Sequence, residues 1–256
     1  MRISSINNIH NNSKKKMNFS GGLAGYIDIL PKFMAKAGDT LVKEHIEPLE
    51  ILNDRELNEV KTLFKSASQA NSSIMKKILE DIQGIIAVSK TLSGKNDPRM
   101  ILMYPTLKSR LFYEASHEMH DLGKPVQARM ISEGAKAITG TEIYPGAKIG
   151  NRMFIRHGQG VIIGDTSIIG DEVKIYHGVT LGSIKEKQNN PSIVRSRRHP
   201  KLGNDVILGC NATVLGDIEV GDHAKIGSNA LVIKNVPANT TVLATPSPIP
   251  SGNEIF

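Results

Sequence analysis

His157 and Glu142 are the pair whose types and spacing suggest chemistry first, a histidine fifteen residues after a carboxylate. A carboxylate within reach of an imidazole fixes its tautomer and stabilises its cation, which makes the histidine a competent general base towards a hydroxyl. His177 and His199 stand in the same half of the chain. His199 closes a basic run with Lys185, Lys187, Arg195, Arg197 and Arg198, a charge density suited to an anionic small molecule. Bare histidines and glutamates are ordinary surface residues, so the elements that hold them decide what they do.

Those elements repeat. Aliphatic residues fall six apart at Ile143, Ile149 and Ile155, then at Ile163, Ile169, Ile175 and Leu181, then from Leu202 through Leu208, Val214, Val220 and Ile226 to Val232. Glycine follows many of them, as at Gly150, Gly164, Gly182, Gly209 and Gly227, and small or β-branched residues such as Ala147, Val179 and Ala212 precede them by two. Six is neither the period of a helix nor bare strand alternation, but it is a multiple of two and keeps each aliphatic side chain on one face. A short strand and a turn, three to a coil, predict a parallel β-helix whose stacked coils bury the aliphatic column. A β-sandwich, the competing architecture, does not hold a fixed six-residue register over so many positions.

The register breaks twice. The step from Ile155 to Ile163 is eight, which squeezes two extra residues into Arg156-His157-Gly158-Gln159-Gly160. The step from Leu181 to Leu202 is twenty-one, so a loop leaves the coil over about 183–200. Bulge and loop both carry histidine out of the repeat.

Ahead of the repeat the pattern is helical. Asn71-Ser72-Ser73 offers an N-cap, Ile74, Ile78, Ile82 and Ile85 follow at helical spacing, and Ser93-Gly94 closes the element. Pro125 suits the first turn of a last helix running to about Ala137. The chain therefore divides into a basic, disordered tail (1–20), a helical domain (21–140), a β-helix (141–236) and an irregular, proline-rich C-terminal tail (237–256).

The 256 residues suffice for one large or two modest domains. A single cysteine, Cys210, excludes an internal disulfide framework and fits a reducing compartment. The net charge of +7 comes with only 4 % aromatic residues and no nucleic-acid-binding motif, so nucleic acid is not an expected partner. No apolar run approaches the roughly 20 residues that span a bilayer, and no signal peptide is apparent. A soluble, cytoplasmic protein is the expectation.

Several segments in order and spacing resemble the serine O-acetyltransferases: Glu142-Ile-Tyr-Pro-Gly-Ala-Lys-Ile-Gly150, His157-Gly158, Gly160-Val-Ile-Ile-Gly164-Asp165-Thr166, Gly178-Val-Thr-Leu-Gly182 and Arg198-His199-Pro200. The likeness spans roughly Tyr104 to Pro246 and includes Tyr104-Pro105 and His117-Glu118-Met119 through Ala128-Arg129-Met130. It implies a left-handed coil, against the usual right-handed crossover, assembly into a homotrimer or a dimer of trimers, and acetyl-CoA as co-substrate in a groove between neighbouring coils, with no metal. The family's catalytic histidine falls on His157, its partner aspartate on Glu142, and its acceptor-binding pair on Arg198 and His199. Gly182, Gly209, Ala212, Lys225 and Gly227 fall at coil positions suited to the pantetheine arm or the nucleotide phosphates.

The chain departs from the family in three places. Arg156 stands where an aspartate that holds the substrate ammonium is usual, and arginine cannot neutralise an ammonium; Asp97 resembles the family's other ammonium-binding aspartate. His177 replaces a common glutamine, one coil above His157. With His199 it suggests a competing reading, a three-histidine zinc site like that of β-helical carbonic anhydrases. The C-terminus ends Ile255-Phe256, where family tails ending in isoleucine dock into O-acetylserine sulfhydrylase. The same residues also fit an acetyltransferase for another hydroxylated acceptor, or a non-catalytic scaffold.

Overall fold

The computed structural model describes residues 29–69, 72–93, 102–184 and 197–245. Asp97, Lys185, Lys187, Arg195, the N-terminal tail and the C-terminal Ile255-Phe256 lie outside the described residues.

Five α-helices precede the strands among the described residues: α1 (Leu30–Leu41), α2 (Asp54–Ala67), α3 (Ser73–Ser93), α4 (Pro105–Asp121) and α5 (Pro125–Thr139). Their ends follow from local chemistry. Asn53 and Glu56 form a reciprocal capping box at the start of α2. Ser72 Oγ accepts the Met75 N–H at 3.0 Å to open α3. Prolines occupy the first turns of α4 and α5, and Gly140, at φ 70°, closes α5 in the left-handed conformation. None of the described helices is long and apolar enough to cross a membrane.

Among the described residues fourteen short strands then wind into three parallel walls. The first wall holds β1 (Thr141–Ile143), β4 (Val161–Ile163), β7 (Thr180–Gly182), β10 (Thr213–Leu215) and β13 (Leu231–Val232). The second holds β2 (Lys148–Ile149), β5 (Ile168–Ile169), β8 (Lys201–Leu202) and β11 (Glu219–Val220). The third holds β3 (Phe154–Ile155), β6 (Lys174–Ile175), β9 (Ile207–Leu208), β12 (Lys225–Ile226) and β14 (Thr241–Val242). Every wall advances by one coil, so the fold is α+β, helices followed by a parallel β-helix. The aliphatic column from Ile143 to Val232 is buried in its interior.

Pairing register measures the two breaks. Ile162 pairs with Thr180, eighteen positions on, which is one coil of three six-residue units. Thr141 pairs with Val161 and Phe154 with Lys174, twenty positions on, so the extra two residues of the first coil sit in the bulge around His157. Ile168 pairs with Lys201, thirty-three positions on, so the long excursion leaves the coil after β7, at the end of the first wall, and returns as the second wall begins. The coil also runs on past 236. Val236 bridges Val220, and β14 pairs with β12 because Val242 still packs against the buried column.

A first coil has an open edge, since its outward N–H and C=O groups have no strand to meet. The helices supply the partners. Ile155 N–H donates to Thr106 Oγ1 at 2.9 Å, and that hydroxyl donates to the Ile155 carbonyl at 3.0 Å. Ser132 Oγ donates to the Ile143 carbonyl at 2.8 Å, and the Tyr113 hydroxyl to that of Ala147 at 2.6 Å. Apolar exchange accompanies them, as Phe154 is buried in the helical core and Tyr113 in the solenoid core. Arg110, fully buried, lies 3.0 Å from Glu114 and 3.5 Å from Asp81, compensating charge with charge beneath this contact.

Thr106 is fully buried, so Thr106→Val keeps the shape and leaves both Ile155 groups without a partner. Such orphaning costs about 1–3 kcal/mol, and urea unfolding of the full chain should read a loss of that size. A variant as stable as the parent would contradict the clamp.

Candidate active site

The corner between the third and first walls repeats once per coil and builds a column along one edge of the prism. His157 occupies it in the first coil, at φ 68°, a left-handed conformation uncommon for a residue with a Cβ. His177 occupies it in the second coil, where the ring centroids of the two histidines are 5.9 Å apart and their planes 66° to one another. Cys210 and Ser228 follow in register, and beside them Asn211, stacked on Gly178, donates its Nδ2 to Asn229 Oδ1 at 3.3 Å. Backbone bonds tie the column together: Gly178 N–H donates to the Gln159 carbonyl at 2.8 Å, Asn211 N–H to that of His177 at 2.9 Å, and Asn229 N–H to that of Cys210 at 2.8 Å. Gly178 is demanded here, since its φ is 70° and a Cβ would run into Asn211 Oδ1. His157 is exposed and His177 half-buried, so both rings face outward where a ligand can reach them.

Arg156, next to His157, places its guanidinium 5.7 Å from the ring centroid of Tyr176, which precedes His177. A cation therefore stands against an aromatic face beside the paired histidines. Nothing in the sequence points to Tyr176 directly; the one-coil offset that stacks the two histidines stacks this pair as well.

Glu142 lies on β1, next to the same edge, because Thr141 before it donates its hydroxyl to the Gly158 carbonyl at 3.1 Å. Its carboxylate is engaged from the other side. Lys136 Nζ is 2.7 Å and Arg129 Nη2 is 3.4 Å from it, both reaching down from α5. Burial pushes the Glu142 carboxyl up, but the bond to Lys136 and the two positive charges outweigh it and hold the group below its ordinary range. Glu142 is therefore ionised at neutral pH. Among the described residues, no hydrogen bond or ion pair joins it to His157. Lys136 and Arg129 are seven apart on α5, a helical spacing that puts both on one face, and that spacing is the signal by which the sequence could reveal them.

Arg198 and His199 sit at a different corner, where the first wall passes to the second. The Arg198 and His199 N–H groups both donate to Thr166 Oγ1, at 2.8 and 3.1 Å. His199 Nδ1 accepts the Thr166 N–H at 3.2 Å and lies 2.8 Å from the same hydroxyl. An imidazole nitrogen that accepts an N–H carries a lone pair, so Nδ1 is unprotonated. Burial, then the adjacent Arg198 charge, holds the His199 pKa below its ordinary value in keeping with that. The ring lies flat over Gly164, where any Cβ would collide with it. One wall, from Gly160 to Gly164, separates this corner from the His157 corner, roughly 13 Å at about 3.3 Å per residue. The three histidines that a zinc site would require are thus not gathered within one protomer.

The remaining coil positions divide by exposure. Gly209 and Gly227 lie at the His157 edge two and three coils on, and Lys225 is exposed on the third wall just before Gly227. Ala212 points its methyl into the solenoid core, so only its backbone faces outward, and its N–H and carbonyl already bond to Gly209 and Thr180. Gly182 closes β7 against Leu215.

The bacterial transferase hexapeptide profile (six repeats) matches residues 199–234. A serine acetyltransferase of Helicobacter pylori (strain ATCC 700392 / 26695) is 44 % identical over 153 residues, covering 60 % of this chain and 85 % of that one. The chain belongs to the serine acetyltransferase family. A serine acetyltransferase of Staphylococcus aureus (strain MSSA476) is 37 % identical over 176 residues, 69 % of this chain and 78 % of that one. Among solved structures, soybean serine acetyltransferase complexed with serine superposes with a TM-score of 0.70 at 25 % identity over 88 % of both chains. The serine acetyltransferase of Brucella abortus strain S19 in complex with coenzyme A gives 0.68 at 26 % identity, over 88 % of this chain and 86 % of that one. These family members share both the helical layer and the coil.

The His199 geometry has a pH signature. A histidine whose folded pKa is depressed binds protons more weakly folded than unfolded, so its contribution is intact above the unfolded value of about 6.5 and is lost as pH falls below it. Chemical unfolding from about pH 8 to pH 5 should show the parent losing stability in that window and His199→Asn lacking this component. Parallel profiles would contradict the assignment.

Proposed function

We propose that this chain transfers the acetyl group of acetyl-CoA to the hydroxyl of serine, with His157 as the general base. The observation that carries the reading is the exposed His157, set by the two-residue bulge on an edge shared with His177, in a member of a family whose relatives are named for this reaction. His157 takes the proton of the acceptor hydroxyl, the hydroxyl oxygen attacks the thioester carbonyl, and the C–S bond breaks as the tetrahedral centre collapses. The departing thiolate takes the proton back from the imidazolium. Preorganised N–H donors around the developing oxyanion can contribute several kcal/mol.

Glu142 supplies a fixed negative charge next to the His157 edge, which favours the imidazolium formed in this step. Its hold by Lys136 and Arg129 keeps it ionised. Gly209 and Gly227 lie along the same edge, where an extended pantetheine chain would run, and Lys225, exposed beside them, offers a positive charge to phosphate.

Arg198 and His199 sit a full wall away from His157 in the same protomer, so they serve a site built between copies. In a threefold assembly, the corner bearing this pair in one protomer faces the corner bearing His157 in its neighbour. Arg198, exposed and adjacent to a neutral His199, then meets the acceptor carboxylate. Arg156 adds a second cation where the serine ammonium needs an anion, so either another carboxylate takes that role or position 156 shifts preference among hydroxylated acceptors. The sulfhydrylase is the partner proposed for the C-terminal Ile255-Phe256, and pulldown with the full chain tests it.

His157→Ala should lower turnover by about 10²–10⁴-fold while sedimentation shows an unchanged assembly; undiminished thiol release from acetyl-CoA would remove His157 as the base. Arg156→Asp should raise kcat/KM for serine relative to other hydroxylated acceptors in the same thiol-release measurement. An unchanged acceptor profile would show that position 156 does not select.

A further inference from the structure

Three side chains at the C-terminal end of α4 take no part in the site above: His117, His120 and Asp121. Residues three and four apart on a helix share a face, and one ligand atom from each lies within 4.8 Å of the other two. His117 Nε2 is 3.6 Å from Asp121 Oδ2, and His120 Nδ1 is 3.3 Å from Asp121 Oδ1. Zinc bonds of about 2.0–2.1 Å at tetrahedral angles hold neighbouring ligand atoms roughly 3.3–3.4 Å apart. Each histidine nitrogen thus stands close to that separation from one carboxylate oxygen, and the 4.8 Å bound on all three leaves only a small side-chain adjustment for one ion to gather them.

An independent observation fixes the chemistry of His117. Its Nδ1 lies 2.6 Å from the Pro145 carbonyl, in the turn after β1. A carbonyl only accepts, so Nδ1 carries the hydrogen, and Nε2 is the nitrogen left to face the Asp121 carboxylate. Ligating histidines are held in this same way, with the far ring nitrogen donating to a backbone carbonyl. The orientation is fixed from both sides: Tyr113 stacks on His117 at 5.4 Å, and His120 lies parallel to it, 7° between planes and 6.2 Å between centroids. The negative end of the α4 dipole adds to the field at this point.

We propose that His117, His120 and Asp121 bind one divalent ion of the imidazole-preferring transition metals, such as zinc or cobalt, with water completing the coordination. The ion sits outside the acetyl-transfer site and is independent of that chemistry. Through His117 and Pro145 it ties the end of α4 to the turn that follows β1, so it fastens the helical layer to the first coil.

The test uses the full chain, stripped with chelator and titrated with cobalt(II) alone, followed by visible absorption, calorimetry and thermal unfolding. One ion per protomer should bind, with the visible bands of a low-coordinate nitrogen and oxygen site and a raised Tm. His120→Ala and Asp121→Asn, both on exposed side chains, should each weaken binding at least about tenfold and abolish the rise in Tm. A simple imidazolium–carboxylate pair would give no saturable binding, and that result overturns the proposal. So does binding of equal strength in both variants, or binding that survives His120→Ala and disappears in Cys210→Ser.

Discussion

The open edge of the first coil is the constraint on which the rest of this structure depends. A parallel ladder satisfies every coil from both sides except the outermost, and an unsatisfied strand edge costs free energy and invites association. Here four helical side chains close it. Thr106 serves both backbone groups of Ile155, Ser132 the carbonyl of Ile143, Tyr113 that of Ala147, and His117 that of Pro145. Thr106 acts two residues before His157, so the contact that joins helices to coil also holds the strand that delivers the candidate base. The helical layer in this sense positions the candidate site, and α5 adds the two cations that hold Glu142.

Above that edge, the repeat converts sequence spacing into columns. Eighteen residues bring the chain back to the same corner, and the two-residue bulge of the first coil shifts only the step into the second, so His157 and His177 stack. Charge is arranged by the same logic. Glu142 is fixed as an anion by two cations on α5, Arg156 lies against Tyr176 at the His157 edge, and His199 is kept neutral at the next corner by burial and by Thr166. In a single protomer the His157 edge and the Arg198–His199 corner are thus separated by the width of one wall.

Much of this is legible in the residues. The six-residue aliphatic period carries the walls, the eight-residue step locates the bulge, and the stacking of His157 on His177 follows from adding two residues to one coil. The long excursion is legible only as a break in register; the pairing of Ile168 with Lys201 shows that it falls between the first and second walls. Other features depend on packing that no period encodes. The engagement of Glu142 by Lys136 and Arg129 needs the tilt of α5 over β1, and Thr106 gives no signal beyond being a threonine after a proline. The coil ends later than residue 236 because Pro237, which reads as a terminator, does not stop Val242 from reaching the buried column.

The central claim is that chemistry arises where the His157 edge of one protomer meets the Arg198–His199 corner of its neighbour. Mixed assembly tests it most directly, by co-refolding protomers carrying His157→Ala with protomers carrying Arg198→Ala and His199→Ala, each inactive by itself, and assaying thiol release from acetyl-CoA in the purified mixed oligomer. The account predicts recovered activity, because some interfaces then pair an intact edge with an intact corner. Mixed oligomers of verified composition that remain as inactive as either parent would contradict it.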